Sequence, residues 1–405
     1  MNQQDCVLLK YGELVLKGRN RGRFERQLIR NVRRAVADLP DPVDLDRRDS
    51  VLVLRSAHAT KEDLADRAQY VMGINVVQPA VRVAKRPAAA AAAAVELLRD
   101  HSGPRRFAVR ARRRDKDFPL TSKQLAAYVG DRVRTEYRWP VDLDDPDVEI
   151  AVEVDRSEVF VSILREPGQG GLPVGCSGRA MVLLSGGFDS PVAAYRAMRR
   201  GLRCEFIHFT GAPLTGPASA YKAYGHLRQL GRFQGDSRLH VVPLGSAQQE
   251  LARAGAGRLQ TVAQRRLMIR TADALARRLG AQALVTGDSL GQVASQTLSN
   301  LAAVEHAATL PLLRPLLGWD KAEIIAEARR IGTAEIAPLP DEDCCSLLTP
   351  PYPATAATDE QLKVLEDRID VRNLVPALLA KAQIFSPAAA GSATARPEEW
   401  AAAGC

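Results

Sequence analysis

Cysteine is scarce in this chain and never set at metal-binding spacing. The 405 residues hold Cys6, Cys176, Cys204, Cys344, Cys345 and Cys405, with no C-x-x-C pair among them. That pattern argues against structural zinc and against a disulfide framework, and no metal site is expected. No apolar run reaches 18 residues and no signal-peptide pattern opens the chain, so a cytoplasmic protein away from membranes is expected. Two familiar phosphate-binding signatures are missing as well: neither G-x-x-x-x-G-K-[ST] nor G-x-G-x-x-G occurs. Aromatic residues make up only 5% of the chain, which leaves little for base stacking.

What is present is ordinary in bulk and uneven in detail. Apolar residues are 46% and charged residues 25%, as in soluble globular proteins, and the length allows two or three domains with their own cores. Residues 1–57 read as a strand, a helix through Phe24, Leu28, Val32 and Val36, and the strand Val51–Leu54. Residues 58–165 mix helices (62–71, 88–98, 122–137) with strands (76–83, 107–109, 148–154, 159–164), an α+β pattern in which the run Ala88–Ala94 is helix filler. Residues 166–175 are rich in Gly and Pro and read as a linker. Residues 176–385 place strands at 181–184, 204–209, 239–243 and 283–286 with helices between, which predicts an α/β domain with a doubly wound parallel sheet. Residues 386–405 read as a disordered tail.

Ser185-Gly186-Gly187-Phe188-Asp189-Ser190 stands out. It follows the apolar run Met181–Leu184 and precedes Pro191 and an apolar-periodic segment, in the order strand, glycine turn, helix. Adjacent glycines let backbone N–H groups approach an anion, and a helix N-terminus adds unpaired donors. A bare Gly-Gly here is as well explained by an ordinary turn. The two hydroxyls and the carboxylate make the pattern more specific, and a phosphate is expected. S-G-G-x-D-S resembles the pyrophosphate loop of the PP-loop ATP pyrophosphatases, which cleave ATP between the α and β phosphates and adenylate an oxygen of the substrate.

Charge is unevenly placed. The net charge is +9, from 56 basic and 47 acidic residues. Lys17, Arg19 and Arg21 open a stripe that continues through Arg23, Arg26, Arg30, Arg33 and Arg34, opposed only by Glu25. Arg105, Arg106, Arg110, Arg112, Arg113 and Arg114 form a second. Either alone reads equally as a solvated face; together they predict contact with nucleic-acid phosphates, and structured RNA rather than a stacked single strand.

Four further segments narrow the resemblance. They are Lys10-Tyr11-Gly12-Glu13-Leu14-Val15-Leu16-Lys17-Gly18; Thr286-Gly287-Asp288-Ser289-Leu290-Gly291-Gln292-Val293-Ala294-Ser295-Gln296-Thr297-Leu298; Arg314-Pro315-Leu316-Leu317-Gly318 with Asp320-Lys321; and Asp341-Glu342-Asp343-Cys344-Cys345. In this order, from about residue 7 to about 380, they are similar to the tRNA 4-thiouridine synthetases, or tRNA sulfurtransferases, of the ThiI type. The resemblance implies a ferredoxin-like N-terminal domain (1–57), a THUMP RNA-binding domain (58–165) and a PP-loop domain (176–385). ATP, with Mg²⁺, would adenylate the C4 oxygen of uridine 8 in tRNA, and a persulfide sulfur would displace AMP. By the same resemblance Asp189 and Lys321 act on the phosphates, and Leu183, Leu184, Ser185, Gly186, Gly187, Ser190, His208, Phe209, Arg265, Gly287 and Gln296 bind ATP. Cys345, with Cys344 beside it, would carry sulfur, its acidic, proline-flanked loop being poor surroundings for core residues.

Some members append a rhodanese-like domain, and about 20 residues after Phe385 are too few for one. A cysteine desulfurase is therefore the expected persulfide donor. Transfer to the sulfur-carrier protein of thiamine thiazole synthesis and a homodimer are implied only by the resemblance. The alternatives are another PP-loop tRNA modifier of 2-thiouridylase type, disfavoured by the amino-terminal and cysteine segments, and a non-catalytic RNA-binding protein, disfavoured by the intact glycine loop.

Overall fold

The computed structural model describes residues 3–101, 103–342, 344 and 347–387, with backbone only for residues 15–17. Cys345, the expected tail beyond residue 387 and the Lys17 side chain thus lie outside the described residues. The chain divides into two compact units, residues 1–171 and 172–405. Among the described residues no helix is long and apolar enough to cross a membrane.

The first unit runs β1 (Gln4–Lys10), α1 (Arg21–Ala35), β2 (Asp44–Arg48), β3 (Val51–Arg55), α2 (Lys61–Ala68), β4 (Val76–Ala84), α3 (Pro87–Leu97), β5 (Phe107–Arg113), α4 (Ser122–Tyr137), β6 (Val148–Val154), β7 (Glu158–Ser162) and β8 (Glu166–Pro167). All eight strands share one sheet, ordered β2-β3-β1-β4-β7-β6-β5 with β8 against β4. The apolar runs in β1 and β3 are continuous because both faces are covered. Val7, Leu9, Leu52 and Leu54 pack with Leu28 and Val32 of α1 and Leu64 of α2, while Cys6, Leu8, Val51 and Val53 pack with Ala80 and Phe160. The alanine run is more than filler. Ala90, Ala93 and Ala94 are fully buried among Val81, Val83, Val129 and Val133, where larger side chains would hold α3 off the sheet.

Two expected boundaries differ from the structure. The sheet does not divide at residue 57, because β1 pairs along its whole length with β4, which pairs on its other side with β7. Nor is 166–175 a free linker. β8 pairs with β4, and Gly170 exchanges backbone hydrogen bonds with Ile74 and Gly73 at 2.7 and 2.8 Å. A Cβ on Gly168 would stand 2.3 Å from the Ile74 carbonyl oxygen, so the glycine there is a close-approach residue, not a hinge.

The second unit contains β9 (Arg179–Leu183), α5 (Asp189–Arg199), β10 (Arg203–Thr210), α6 (Ala218–Gln234), β11 (Leu239–Pro243), α7 (Gly245–Arg253), α8 (Gln260–Arg278), β12 (Ala283–Val285), α9 (Leu298–Glu305), β13 (Leu312–Leu313), α10 (Lys321–Arg330), α11 (Asp359–Arg368), α12 (Val371–Ala380) and β14 (Gln383–Phe385). Its sheet order is β13-β12-β9-β10-β11-β14, parallel except for the β14 edge. The doubly wound architecture is therefore present. The chain leaves β9 toward β10 on one side and later returns to β12 on the other, so the crevice at the carboxyl ends of β9 and β12 is the topological switch point where such sheets bind ligands. The glycine-rich loop lies there. α5 starts at Asp189, so Pro191 falls within the first turn, where its missing N–H still costs no helical bond.

Two buried polar side chains fasten this unit. Arg266 on α8 is fully buried and grips Glu366 of α11 in a fork, with bonds of 2.7 and 2.9 Å, while also bonding Asp359 at 2.7 Å. His226 on α6 is likewise fully buried, its Nε2–H donating to the Gly186 carbonyl at 3.2 Å. Burial pushes the His226 imidazole down to about 4 despite that hydrogen bond. Replacing Arg266 by Met leaves Glu366 poorly compensated and should destabilise the second unit by about 3–5 kcal/mol in urea unfolding. For His226 the unfolded chain takes up a proton that the folded protein refuses. Its contribution is present above pH 6.5 and is lost as pH falls toward 4, the ordinary and folded values. His226→Gln should flatten that segment of the stability profile.

Candidate active site at the glycine-rich loop

The loop after β9 is closed by its own serines. Ser190 Oγ accepts from the Ser185 N–H at 2.8 Å and lies 3.0 Å from Ser185 Oγ, which in turn accepts from the Gly187 N–H at 3.3 Å. Ser190 is buried, and its hydroxyl shapes the loop. Two glycines permit close packing beneath. A Cβ on Gly287, just after β12, would stand 2.6 Å from the Ser190 nitrogen, and one on Gly186 would stand 2.8 Å from Asp341 Oδ2. Gly187 faces open space, with nothing nearer to its Cβ position than Ser185 Oγ at 3.7 Å.

Asp189 and Lys321, 132 residues apart, meet at this loop with Nζ and Oδ1 2.7 Å apart. Asp320 caps α10 through a capping box with Glu323, as its position before Lys321 predicts, and so fixes where Lys321 leaves the helix. α10 docks on α5 through Glu327 and Arg196, 3.1 Å apart, and through Arg330 over the Tyr195 ring. Gln292 donates to the other Asp189 oxygen at 3.1 Å, a contact not anticipated from sequence.

Three residues expected to bind ATP are held by protein groups at the strand ends. Arg265 forms an ion pair with Asp288 and bonds Ser295 Oγ at 3.0 Å; Gln296 donates to the same Asp288 at 3.4 Å. Thr286 donates to Asp288 at 2.7 Å and Arg314 lies 3.5 Å away. Burial works to raise the Asp288 carboxyl, but Arg265 first, with Thr286 and Arg314, outweighs it and holds it below the usual carboxylate range. Asp288 is therefore the hub that sequence reasoning passed over, and Arg265 and Gln296 are its anchors. His208 is also an anchor: its ring nitrogens sit 2.8 Å from the Leu184 carbonyl and 3.2 Å from Ser219 Oγ. Leu184 and Phe209 are buried and Leu183 half-buried, so of these three only Leu183 offers surface.

The cysteine segment lies against the loop. Asp341 pairs with Lys222 of α6 at 3.1 Å, and Glu342 accepts from the Gly216 N–H at 3.0 Å. Cys344 corrects the expectation of surroundings unfit for a core residue. It is 4% exposed, packs in the main core of the unit, and its carbonyl accepts from Gln248 at 2.6 Å. Composition misled because Asp341 and Glu342 have partners of their own, Lys222 and the Gly216 N–H, while Cys344 farther along turns into the core.

The first unit's arginines divide. Arg106 is held by Asp142, Asp145 and Asp147 at 3.0–3.2 Å, Arg113 by the Lys116 and Phe118 carbonyls, and Arg114 by the Asp49 carbonyl at 3.2 Å. Arg21 pairs with buried Glu25 at 2.8 Å and Arg110 with Glu149 at 3.4 Å. Arg19, Arg105 and Arg112 are exposed and form no ion pair among the described residues. Most of these arginines took nearby carboxylates or backbone carbonyls, which residue counting does not reveal.

Comparison with known proteins agrees with this geometry. The model for "ThiI ferredoxin-like domain" matches residues 6–77, that for "THUMP domain" residues 89–164, and that for "Thiamine biosynthesis protein (ThiI)" residues 175–371. A protein of Nocardia farcinica named "Probable tRNA sulfurtransferase" is 59% identical over 94% of each chain. One of Thermus thermophilus with the same name is 42% identical over 93% of this chain and 92% of its own. The crystal structure of a 4-thiouridine synthetase–RNA complex with bound ATP superposes with a TM-score of 0.86 at 31% identity, covering 95% of this chain and 99% of that one. Three family models in chain order, with close relatives over nearly the whole length, show that the protein belongs to the ThiI family of tRNA sulfurtransferases.

Proposed function

We propose that the second unit binds ATP at the glycine-rich loop and uses it to adenylate the C4 oxygen of uridine 8 in tRNA. Pyrophosphate leaves in that step. A persulfide sulfur, delivered by a cysteine desulfurase and passed through Cys345, then bonds to C4 as the adenylate C–O bond breaks and AMP departs. A second thiol bonds to the Cys345 sulfur of the resulting C4–S–S–Cys345 disulfide, the S–S bond breaks, and 4-thiouridine is released. Adenylation is needed because an amide-like oxygen is a poor leaving group. The observation that carries this reading is the meeting of the Asp189–Lys321 pair, the open face at Gly187 and the cysteine segment on one loop. The ATP and RNA bound to the similar synthetase support it.

The chain's own groups have separable tasks. Loop N–H groups at the start of α5 bind phosphate oxygens, and Lys321 offsets charge gathering on the leaving pyrophosphate. No cluster of three metal-ligating residues occurs among the described residues. A single carboxylate, Asp189, suits Mg²⁺, which is held largely by nucleotide phosphates and water, and which would neutralise pyrophosphate charge. Arg19, Arg105 and Arg112 supply exposed charge for the tRNA backbone. The family model's description as a thiamine biosynthesis protein favours a second acceptor, the sulfur-carrier protein of thiazole synthesis.

Incubation with ATP, Mg²⁺, a persulfide source and unmodified tRNA should release pyrophosphate and yield near-ultraviolet absorbance of 4-thiouridine. If folded protein gives neither signal with a competent sulfur donor, the reading is wrong. Lys321→Met should slow pyrophosphate release about 10²–10³-fold. Cys345→Ser should still release pyrophosphate yet form no thiouridine; full thiolation would remove Cys345 from the scheme. Arg112→Gln should weaken tRNA binding and lower the salt slope by about 1, whereas Arg106→Gln, which frees three aspartates, should act mainly on stability.

A further inference from the structure

Lys222 belongs to no motif in this chain, yet it forms part of the wall of the glycine-rich loop. It sits in the second turn of α6, its side chain 7% exposed, with Nζ 3.1 Å from Asp341 Oδ1. Both groups press on the same backbone atom. A Cβ at Gly186 would stand 2.8 Å from Asp341 Oδ2 and 3.0 Å from Lys222 Cε. A carboxylate thus sits against a loop shaped for an anion, and it is held there by a buried ammonium. As a source of stability the arrangement is weak, because desolvation of two charges offsets most of their attraction.

We propose that Lys222 is a further phosphate-binding residue of the loop and that Asp341 is the phosphate's competitor for it. The proposal rests on the ATP reading above. An ammonium carries three N–H donors, and an ion pair with the single carboxylate of Asp341 leaves donors for phosphate oxygens. The site then has two cations with different tasks. Lys321 approaches from α10 and is exposed and paired with Asp189, while Lys222 approaches from α6 and is buried. A buried ammonium acts through less screening and is worth more to an anion. Asp341 works the other way, since like charges a few ångströms apart repel. A polyphosphate on Gly186 and Gly187 therefore draws Lys222 toward itself and pushes Asp341 outward. Asp341 opens the segment that carries Cys344, so phosphate occupancy and the setting of that segment share one ion pair.

The test is binding of two probes, α,β-methylene-ATP with Mg²⁺ and pyrophosphate with Mg²⁺, measured by calorimetry on the full chain. Lys222→Met should weaken both by about 10–100-fold, the worth of a hydrogen bond to a charged group. Asp341→Asn should tighten both several-fold. The double variant should stay as weak as Lys222→Met. If the pair is only structural, both single variants weaken binding and the double variant regains wild-type affinity. That result, or unchanged affinity in every variant, overturns the proposal. Should Lys222→Met fail to fold, Asp341→Asn with Lys222→Arg still decides, because tightening and retained affinity are expected and weakening in both is not. Wild-type protein that is folded but binds neither probe sinks the ATP reading itself, a distinct outcome.

Discussion

A single side-chain carbon at position 287 would stand 2.6 Å from the Ser190 nitrogen, and the rest of the site depends on its absence. Because Gly287 adds nothing, the start of α5 settles directly onto the segment that follows β12. The Ser185–Ser190 turn is then held from two further sides, by the His226 N–H on the Gly186 carbonyl and by the His208 ring on the Leu184 carbonyl. Peptide groups fixed in this way need no reorganisation when an anion arrives, which is the condition under which backbone donors stabilise developing charge best. The His226 ring suits the task because burial keeps it neutral near pH 7, so it donates a hydrogen bond without placing a second fixed charge under the loop.

Much of this architecture is legible in the chain. Parallel strands buried on both faces read as short apolar runs, and the glycine turn after the first of them marks the switch point. The Asp320 cap and the Gly280 stop after α8 also follow from residue type alone. Edges and boundaries do not. β13 and β14 are two and three residues long, so neither carries a periodic signal, and both depend on a neighbour already in place. The boundary at residue 57 failed for a related reason. A strand that pairs on both sides joins two blocks, and pairing partners are not written in local sequence.

Side-chain roles were less legible than side-chain identities. Arg265, Gln296 and His208 have the right chemistry to meet a nucleotide, and each also bonds a protein acceptor at the strand ends, which residue type does not foretell. Asp288 is the cause of two of these. A nearly buried carboxylate demands compensation, and it collects Arg265, Arg314, Thr286 and Gln296 to obtain it. Arg106 is engaged as well, by three aspartates at the surface. A cluster of six arginines by count offers two that are exposed and outside any ion pair among the described residues, Arg105 and Arg112.

Asp189 and Lys321 raise the opposite question, since two groups expected to face phosphate face each other. Their 2.7 Å contact is partly exposed, so solvent screens it and the pair adds little stability. What it does is hold a cation and a carboxylate at one spot with little net charge between them. On the reading proposed above, Asp189 would hold the metal and Lys321 the phosphate of a Mg²⁺-nucleotide, so each partner would exchange one ionic contact for another. Gln292 makes the exchange directional. Its N–H holds the second Asp189 oxygen at 3.1 Å and so limits how far the carboxylate can swing when Lys321 lets go. The charged groups of the site thus already have partners, and on that reading binding would redistribute those partners while the loop N–H groups take phosphate oxygens.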